Sequence, residues 1–185
     1  MAPSHPDWKW KKYYQKKKTG KTRNTIKLKI QKIKNTKEGL DSVFLKKILR
    51  GTKHFLGIFP QDYLIGLQIN APVFMIINLD VSSQPGSHWL AIYIDNSNIE
   101  IFDSLGLDKR TWNRKPSILL RFIQSHAKTR KLRISPKMQP DFSNFCGVFC
   151  LFFLILRPFL PFWTICDYFS ANLILNQQKL LEFFQ

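Results

Sequence analysis

Cysteine is scarce in this chain of 185 residues, which contains three. An odd number of cysteines without a repeating spacing argues against a disulfide-stapled secreted domain, and three are too few for a zinc site built from four cysteines. We therefore expect a reducing compartment and neither a metal nor a small-molecule cofactor.

The sequence also lacks a long uninterrupted apolar run. Its N-terminus, MAPSHPDWKWKKYY, has no apolar core of the kind that a secretory signal carries. The most apolar stretch begins at Phe145, but Arg157, Pro158 and Pro161 interrupt it after about 11 apolar residues, whereas a bilayer span needs roughly 20. We therefore expect neither export nor a membrane partner.

Acidic side chains are few, and the basic ones are unevenly distributed. The chain has 12 Asp and Glu against 29 Lys and Arg, which gives a formal net charge of +17. Residues 1–54 contain 17 of the basic side chains and 3 of the acidic ones. Residues 108–137 contain 10 basic side chains and a single acid, Asp108. Two basic regions result, and one of them lies inside the part that we expect to be globular.

Residues 1–38 form a lysine-rich arm in which Trp8, Trp10, Tyr13 and Tyr14 interleave with lysines. Lysine neutralises phosphates and aromatic rings stack on bases, so this mixture suits nucleic acid; a nuclear-localisation signal or a solubilising tail are the alternatives. DNA is therefore the expected partner of the basic regions. The residues predicted to contact it are Lys9, Lys11, Lys12, Lys16, Lys17, Lys18, Arg130, Lys131 and Arg133.

Residues 39–185 are long enough for one domain with a hydrophobic core, since the chain is 44% hydrophobic and has sixteen Phe. The expected fold class is α+β, with a small mixed or antiparallel sheet packed against a central helix that carries Cys146. The predicted helices span 41–50, 115–127, 146–156 and 170–184, and the predicted strands span 71–79, 89–94, 98–102 and 130–138.

Four polar side chains, in the order His88, Asp103, Gln139 and Cys146, suit a thiol protease. Such chemistry needs a cysteine whose proton can pass to an imidazole, and an acceptor that holds the imidazole in one tautomer. Cys146 follows a polar run and precedes an apolar helix, so we expect its sulfur at a helix N-terminus, where the dipole favours a thiolate. A buried structural cysteine is the alternative interpretation, and it is the one expected for Cys150.

His88 precedes one predicted strand and Asp103 follows the next, so adjacent strand ends would bring the carboxylate to the imidazole. A lone histidine is usually a satisfied surface or core residue, however, and Asp103 with Ser104 could simply cap a turn. Gln139 can donate its amide N–H to a developing oxyanion together with the backbone N–H of Cys146. The ordered set predicts the site better than any one of its members.

In these segments the chain resembles the adenovirus-type cysteine proteases, the adenain family, within the wider clan that includes the ubiquitin-like-protein-specific proteases. The matching segments occur in order between residues 40 and 185. They are FLGIFPQDYL at 55–64, the His88–Trp89 pair, Phe102–Asp103, Gln139 followed by NFCGVFC, and NQQKLLEFF at 176–184.

This resemblance implies a cysteine endopeptidase in which His88 is the general base, Asp103 its orienting partner, Cys146 the nucleophile and Gln139 an oxyanion donor. It implies protein substrates, namely precursors of a virus or a virus-like element, often cut after Gly-Gly or Gly-X. It also implies activation by DNA and by a short peptide, and a location in the host nucleus or the virion.

The chain departs from the family pattern at two positions. Asp103 stands where adenain commonly has Glu, but Asp is usual in the wider clan, so the orienting role is kept. Lys128 stands in the region, eleven residues before Gln139, where a disulfide-linked activating peptide would need a cysteine. A covalent link to such a peptide is therefore not expected, and the lysine-rich arm is additional to the family core.

Two other functions are compatible with the sequence. A protease or isopeptidase acting on a ubiquitin-like modifier would use the same catalytic set, but the six-residue Gln-to-Cys step and the Asp-Cys-Gly common in that branch are absent. A non-enzymatic DNA-binding virion protein on the same scaffold would fit the charge of +17, yet it has no need for all four polar groups. We therefore predict proteolysis ahead of either alternative.

Overall fold

The computed structural model describes residues 39–107 and 118–184, and the predictions made for residues 1–38 and 108–117 lie outside this part of the chain. The described residues form an α+β fold. Its helices are α1 (Ser42–Leu49), α2 (Ile118–Ala127), α3 (Cys146–Leu156), α4 (Phe162–Cys166) and α5 (Leu173–Phe183). Its strands are β1 (Phe55–Pro60), β2 (Val73–Asn78), β3 (Trp89–Ile94), β4 (Asn98–Phe102) and β5 (Lys131–Ile134), and a 3₁₀ turn, Gln61–Leu64, follows β1.

The five strands form one mixed sheet in the order β1-β2-β3-β4-β5. The three central strands pair antiparallel, whereas the outer strands β1 and β5 each run parallel to their neighbour. A tight turn joins β3 to β4, because the Asp95 carboxylate accepts hydrogen bonds from the backbone N–H groups of Ser97 and Asn98. This turn fixes the register of β3 and β4, and so decides which residues meet at the opposite ends of these strands.

The sheet is covered on both faces, so β2 is buried at all six positions. Its side chains alternate between two apolar clusters. Phe74 and Ile76 face the cluster that contains α3, whereas Met75 and Ile77 face the cluster that contains α2. A strand buried on both faces reads as a continuous apolar run, and the sequence APVFMIINL has that form.

Helix α3 lies at the centre of the larger cluster, and every one of its residues except Ile155 is buried. A helix that is apolar all round belongs in a core. Cys150 is 1% exposed, as expected for a core position. Among the described residues, no helix is both long enough and apolar enough to cross a membrane.

The predicted elements are present with shifted ends, and two elements were not predicted. Helix α1 begins where expected, since the Asp41 carboxylate accepts a hydrogen bond from the backbone N–H of Phe44 at 2.7 Å. The strand predicted over 130–138 is only four residues long, Lys131–Ile134. The next residue, Ser135, still donates its backbone N–H to the carbonyl of Ile101, and its hydroxyl bonds to Asp103. Strand β1, interrupted by Gly57 and ended by Pro60, and helix α4, which begins directly after Pro161, were missed.

Candidate active site

The sheet register places His88 and Asp103 side by side. Because β3 and β4 run antiparallel with Ala91 opposite Phe102, the residue that precedes β3 and the residue that follows β4 lie at the same edge of the sheet. The Nε2 atom of His88 lies 2.6 Å from Oδ1 of Asp103, and both side chains are buried. The pairing expected from the two strand ends is therefore present in the structure.

Asp103 also forms a turn, so both interpretations of this residue hold at once. Its Oδ1 atom accepts a hydrogen bond from the backbone N–H of Leu105 at 3.0 Å, and its carbonyl accepts one from Gly106. The turn thus holds the carboxylate in the position at which it contacts the imidazole. A carboxylate fixed in this way holds the ring in the tautomer with the proton on Nε2, leaving Nδ1 for a proton transfer.

The environment of His88 raises the pKa of its imidazole to about 9. Burial by itself lowers this pKa, but the hydrogen bonds to Asp103 and Cys146, together with the negative charges of these two groups, outweigh the burial. His88 therefore contacts a carboxylate on one side and a thiol on the other. A raised pKa keeps the imidazole protonated at neutral pH, as a thiolate–imidazolium mechanism requires.

Cys146 is the first residue of α3 and is 7% exposed, so its sulfur lies at the positive end of the helix dipole. The two other thiols of the chain are different. Burial raises the pKa of Cys166 to about 12 and raises the pKa of Cys150 well above its usual range. Of the three cysteines, Cys146 alone is among the groups that raise the pKa of His88. That Cys146, rather than Cys150, is the reactive thiol stays a prediction.

The segment that precedes α1 packs beside Cys146 and His88, against the residues that follow each of them. The indole N–H of Trp89 donates to the carbonyl of Leu40 at 2.9 Å, and Leu40 is 2% exposed. A Cβ atom built on Gly147 would lie 2.9 Å from Cβ of Leu40, so glycine is required at this position for close packing. Leu40 thus fixes both the tryptophan beside His88 and the first turn of α3.

Gln139 is completely buried, and its side-chain amide is bonded at both ends. Its Oε1 atom accepts a hydrogen bond from the hydroxyl of Ser104 at 2.7 Å, and its Nε2 atom donates to the carbonyl of Ser143 at 2.7 Å. An amide nitrogen carries two N–H groups, so one of them is left for another acceptor. The chain between Gln139 and Cys146 is the short loop that leads into α3.

Sequence reasoning missed three residues that hold the site together: Leu40, Ser104 and Ser135. The hydroxyl of Ser135 accepts from the backbone N–H of Asp103 at 2.9 Å and donates to its carbonyl at 2.8 Å. Ser104 follows Asp103 directly, so its position in the sequence could have predicted that it lies at the site. No sequence signal identified Leu40 or Ser135, because their contacts join segments that are far apart in the chain.

The three described members of the predicted DNA-binding set differ in their surroundings. Lys131 is exposed on the edge strand β5. Arg130 donates from Nε to the carbonyl of Asp95 at 2.7 Å. Arg133 pairs with the buried carboxylate of Glu100 at 3.0 Å, so this arginine is engaged in an internal ion pair. Their role in DNA binding stays a prediction, for which Lys131 has the most accessible side chain.

The described histidines outside the site have no such partners. His54 is an exposed loop residue, and His126 packs its ring against Phe122 on α2, where burial lowers its pKa. Across residues 39–107 and 118–184, no group of three His, Cys, Asp or Glu side chains could hold a metal ion.

Comparison with known proteins places the same segments in a family. The adenovirus endoprotease family model matches residues 55–178, which is more than half of the chain and includes all four polar residues of the site. A curated protein named Protease, from Frog adenovirus 1 (strain ATCC VR-896), is 34% identical over 109 residues. That alignment covers 54% of this chain and 53% of the relative, so the chain spans about half the length of the curated relative that it matches.

Proposed function

Because the chain belongs to the adenovirus endoprotease family, we propose that it is a cysteine endopeptidase whose catalytic residues are Cys146, His88, Asp103 and Gln139. The observation that supports this function best is the buried His88–Asp103 pair, 2.6 Å apart, whose imidazole has its pKa raised by Asp103 and by Cys146 at the start of α3. The buried imidazole–carboxylate pair and the place of Cys146 at the start of a helix support these roles.

In the proposed mechanism, the Cys146 thiolate attacks the carbonyl carbon of the scissile peptide bond. The resulting oxyanion accepts hydrogen bonds from the amide of Gln139 and the backbone N–H of Cys146. As the C–N bond breaks, protonated His88 gives its proton to the leaving amine, and a thioester remains. Neutral His88 then takes a proton from water, which attacks the thioester. The C–S bond breaks, the carboxylic acid leaves, and the Cys146 thiolate and protonated His88 are restored. Asp103 holds the ring throughout and stays ionised.

The substrates of this reaction are, in our proposal, precursor proteins of a virus or a virus-like element, cleaved in the host nucleus or the virion. Family membership and the relative named Protease, from an adenovirus, support this assignment.

DNA is the proposed stimulator of the enzyme. Support comes from the net charge of +17 and from exposed basic side chains such as Lys128 and Lys131 in the domain itself. Duplex DNA attracts such a surface through counterion release, and the attraction weakens as salt rises. A peptide activator would bind without a disulfide, because the three cysteines of the chain are buried and Lys128 stands where the thiol would be needed.

The proposed function is tested with a Gly-Gly-based peptide substrate and a matching thiol-directed probe, with and without DNA. We expect Cys146→Ala and His88→Ala each to abolish turnover, and we expect mass spectrometry to locate the probe on Cys146. Cys166→Ala is the matched control and should retain turnover, since this thiol lies outside the site. Turnover that survives the loss of Cys146 would falsify the assignment, and faster cleavage of a ubiquitin-like modifier would favour the isopeptidase instead.

A further inference from the structure

Ser104 forms two hydrogen bonds with Gln139 and one with Met138, the residue before it. Its hydroxyl donates to Oε1 of Gln139 at 2.7 Å, and its carbonyl accepts the backbone N–H groups of Met138 and Gln139, both at 2.8 Å. Ser104 is 1% exposed and Gln139 is fully buried, so water does not compete for these bonds. The serine therefore fixes both the backbone and the side chain of Gln139.

The hydroxyl of Ser104 also determines which way round the Gln139 amide lies. The two ends of a carboxamide have nearly the same shape, and a rotation of about 180° exchanges the oxygen and the nitrogen. A hydroxyl can donate to the amide oxygen, and the carbonyl of Ser143 can accept only from the amide nitrogen, at 2.7 Å. Together these two partners keep the nitrogen, and hence its second N–H, on the side away from Ser104.

This orientation matters because the reversed amide would present an oxygen to the oxyanion. Two partial negative charges would then face each other in a buried site, where electrostatic interactions are strong. From these contacts we propose that Ser104 is a positioning residue that locks the Gln139 amide in its donating orientation, a role that rests on the proposed peptidase function. Its place next to Asp103 means that one short turn positions both the imidazole partner and the oxyanion donor.

The experiment uses the full chain and compares two reactions at Cys146. Hydrolysis of the Gly-Gly peptide develops an oxyanion, whereas alkylation by iodoacetamide needs the thiolate but no oxyanion donor. For Ser104→Ala we expect kcat to fall by about 10- to 100-fold with KM little changed, since loss of a whole oxyanion donor costs on the order of 10²- to 10³-fold. At each pH, the rate of alkylation should stay within about twofold of the wild-type rate.

A double-mutant cycle tests whether Ser104 acts through Gln139. If it does, Ser104→Ala combined with Gln139→Ala will have the same kcat as Gln139→Ala alone, because Ser104 then has no amide to orient. Ser135→Ala is the matched control, since it also removes one buried hydroxyl but contacts Asp103 rather than Gln139. The effects of Ser135→Ala and Gln139→Ala on kcat should therefore multiply.

Three results would overturn the role of Ser104: wild-type kcat in Ser104→Ala, an alkylation rate that falls in parallel with kcat, or multiplicative effects in the cycle with Gln139→Ala. Each of these leaves the peptidase function intact as long as wild type is active and Cys146→Ala is inactive. If the wild-type chain does not hydrolyse the peptide and its Cys146 does not react with iodoacetamide, the proposed function itself is overturned, and the role of Ser104 with it.

Discussion

The charge on His88 links the stability of the site to its activity. Its pKa of about 9 in the folded chain lies above the ordinary value of 6.5, because Asp103 and Cys146 together outweigh the effect of burial. A pKa raised by folding means that the folded chain binds the proton more tightly than the unfolded chain. The stabilisation is therefore complete below pH 6.5 and is lost as the pH rises through about 9.

For the pH dependence of activity, we expect kcat/KM for the Gly-Gly peptide to decline as the pH rises through about 9, where His88 loses the proton that the leaving amine needs. Asp103→Asn removes the carboxylate that raises this pKa, so the decline should shift to lower pH. Activity at neutral pH should drop on the order of 10²- to 10⁴-fold, because the imidazole also loses its orienting acceptor.

Initial rates measured between pH 5 and 10 test this expectation. Lys137→Ala serves as the control, since its ion pair with Asp141 is exposed. An alkaline decline that stays at the same pH in Asp103→Asn would show that His88 does not owe its pKa to this carboxylate.

At the scale of the elements, α3 is positioned from both of its ends. At the N-terminal end, Leu40 packs against Gly147 beside the nucleophile. At the C-terminal end, Arg157 donates from Nε and Nη2 to the carboxylate of Glu100 on β4 at 2.6 and 3.0 Å. These contacts set the height and the rotation of the helix relative to the sheet that carries His88 and Asp103.

Gly147→Ala should destabilise the fold by about 1–3 kcal/mol, because the new Cβ would lie 2.9 Å from a backbone-attached atom of Leu40 rather than from a flexible side-chain tip. Denaturant unfolding measures the loss, and kcat should fall with it as the first turn of α3 moves. Val43→Ala, at a position 76% exposed on α1, should change the stability by less than about 0.5 kcal/mol. If Gly147→Ala is as stable as the wild type, Leu40 moves away from the new Cβ without an energetic cost.

Glu100→Ala should cost more, on the order of 3–5 kcal/mol, because it leaves two partly buried arginines, Arg133 and Arg157, without their shared carboxylate. The measurement is the free energy of unfolding in urea at neutral pH. Breaking the exposed Lys137–Asp141 pair with Lys137→Ala should cost at most about 1 kcal/mol. Equal losses of unfolding free energy in Glu100→Ala and Lys137→Ala would contradict a larger contribution from the Glu100 ion pairs.

At the scale of the whole molecule, the charge and the catalytic site are separated along the chain. Most of the excess positive charge lies in residues 1–54, whereas the site is built from residues 88 to 146. DNA binding and peptide hydrolysis should therefore respond to different substitutions. A charge-dominated contact is recognised by its dependence on salt, which scales with the number of phosphates neutralised.

Replacing Lys9, Lys11, Lys12, Lys16, Lys17 and Lys18 together with Gln in the full chain should weaken binding to duplex DNA and reduce the slope of log K against log salt. Each lost phosphate contact should lower the slope by about 0.9. Hydrolysis of a short peptide without DNA should be unchanged. Substitution of the exposed Lys46, Lys47 and Lys53 by Gln is the control, and an equal loss of slope there would show that the arm has no special role.

The sequence alone determined the fold class and the main helices and strands, and it predicted the four polar residues of the proposed site. It did so because burial of one face repeats apolar residues with the period of a helix or a strand, and because a polar residue beside an apolar segment stands out in the sequence. Strand β1 and helix α4 were not predicted, since Gly57, Pro60 and Pro161 mask their patterns and these elements form only against the core.

Only the tertiary structure decided how the site is held. The distance between His88 and Asp103 follows from the register of two strands, and the orientation of the Gln139 amide follows from hydroxyl and carbonyl partners 35 and 4 residues away. The same holds for Arg133, a predicted DNA contact that the structure pairs with Glu100. Residue types and their order are properties of the chain, whereas a hydrogen bond between distant residues depends on the path of the whole backbone, which no local pattern records.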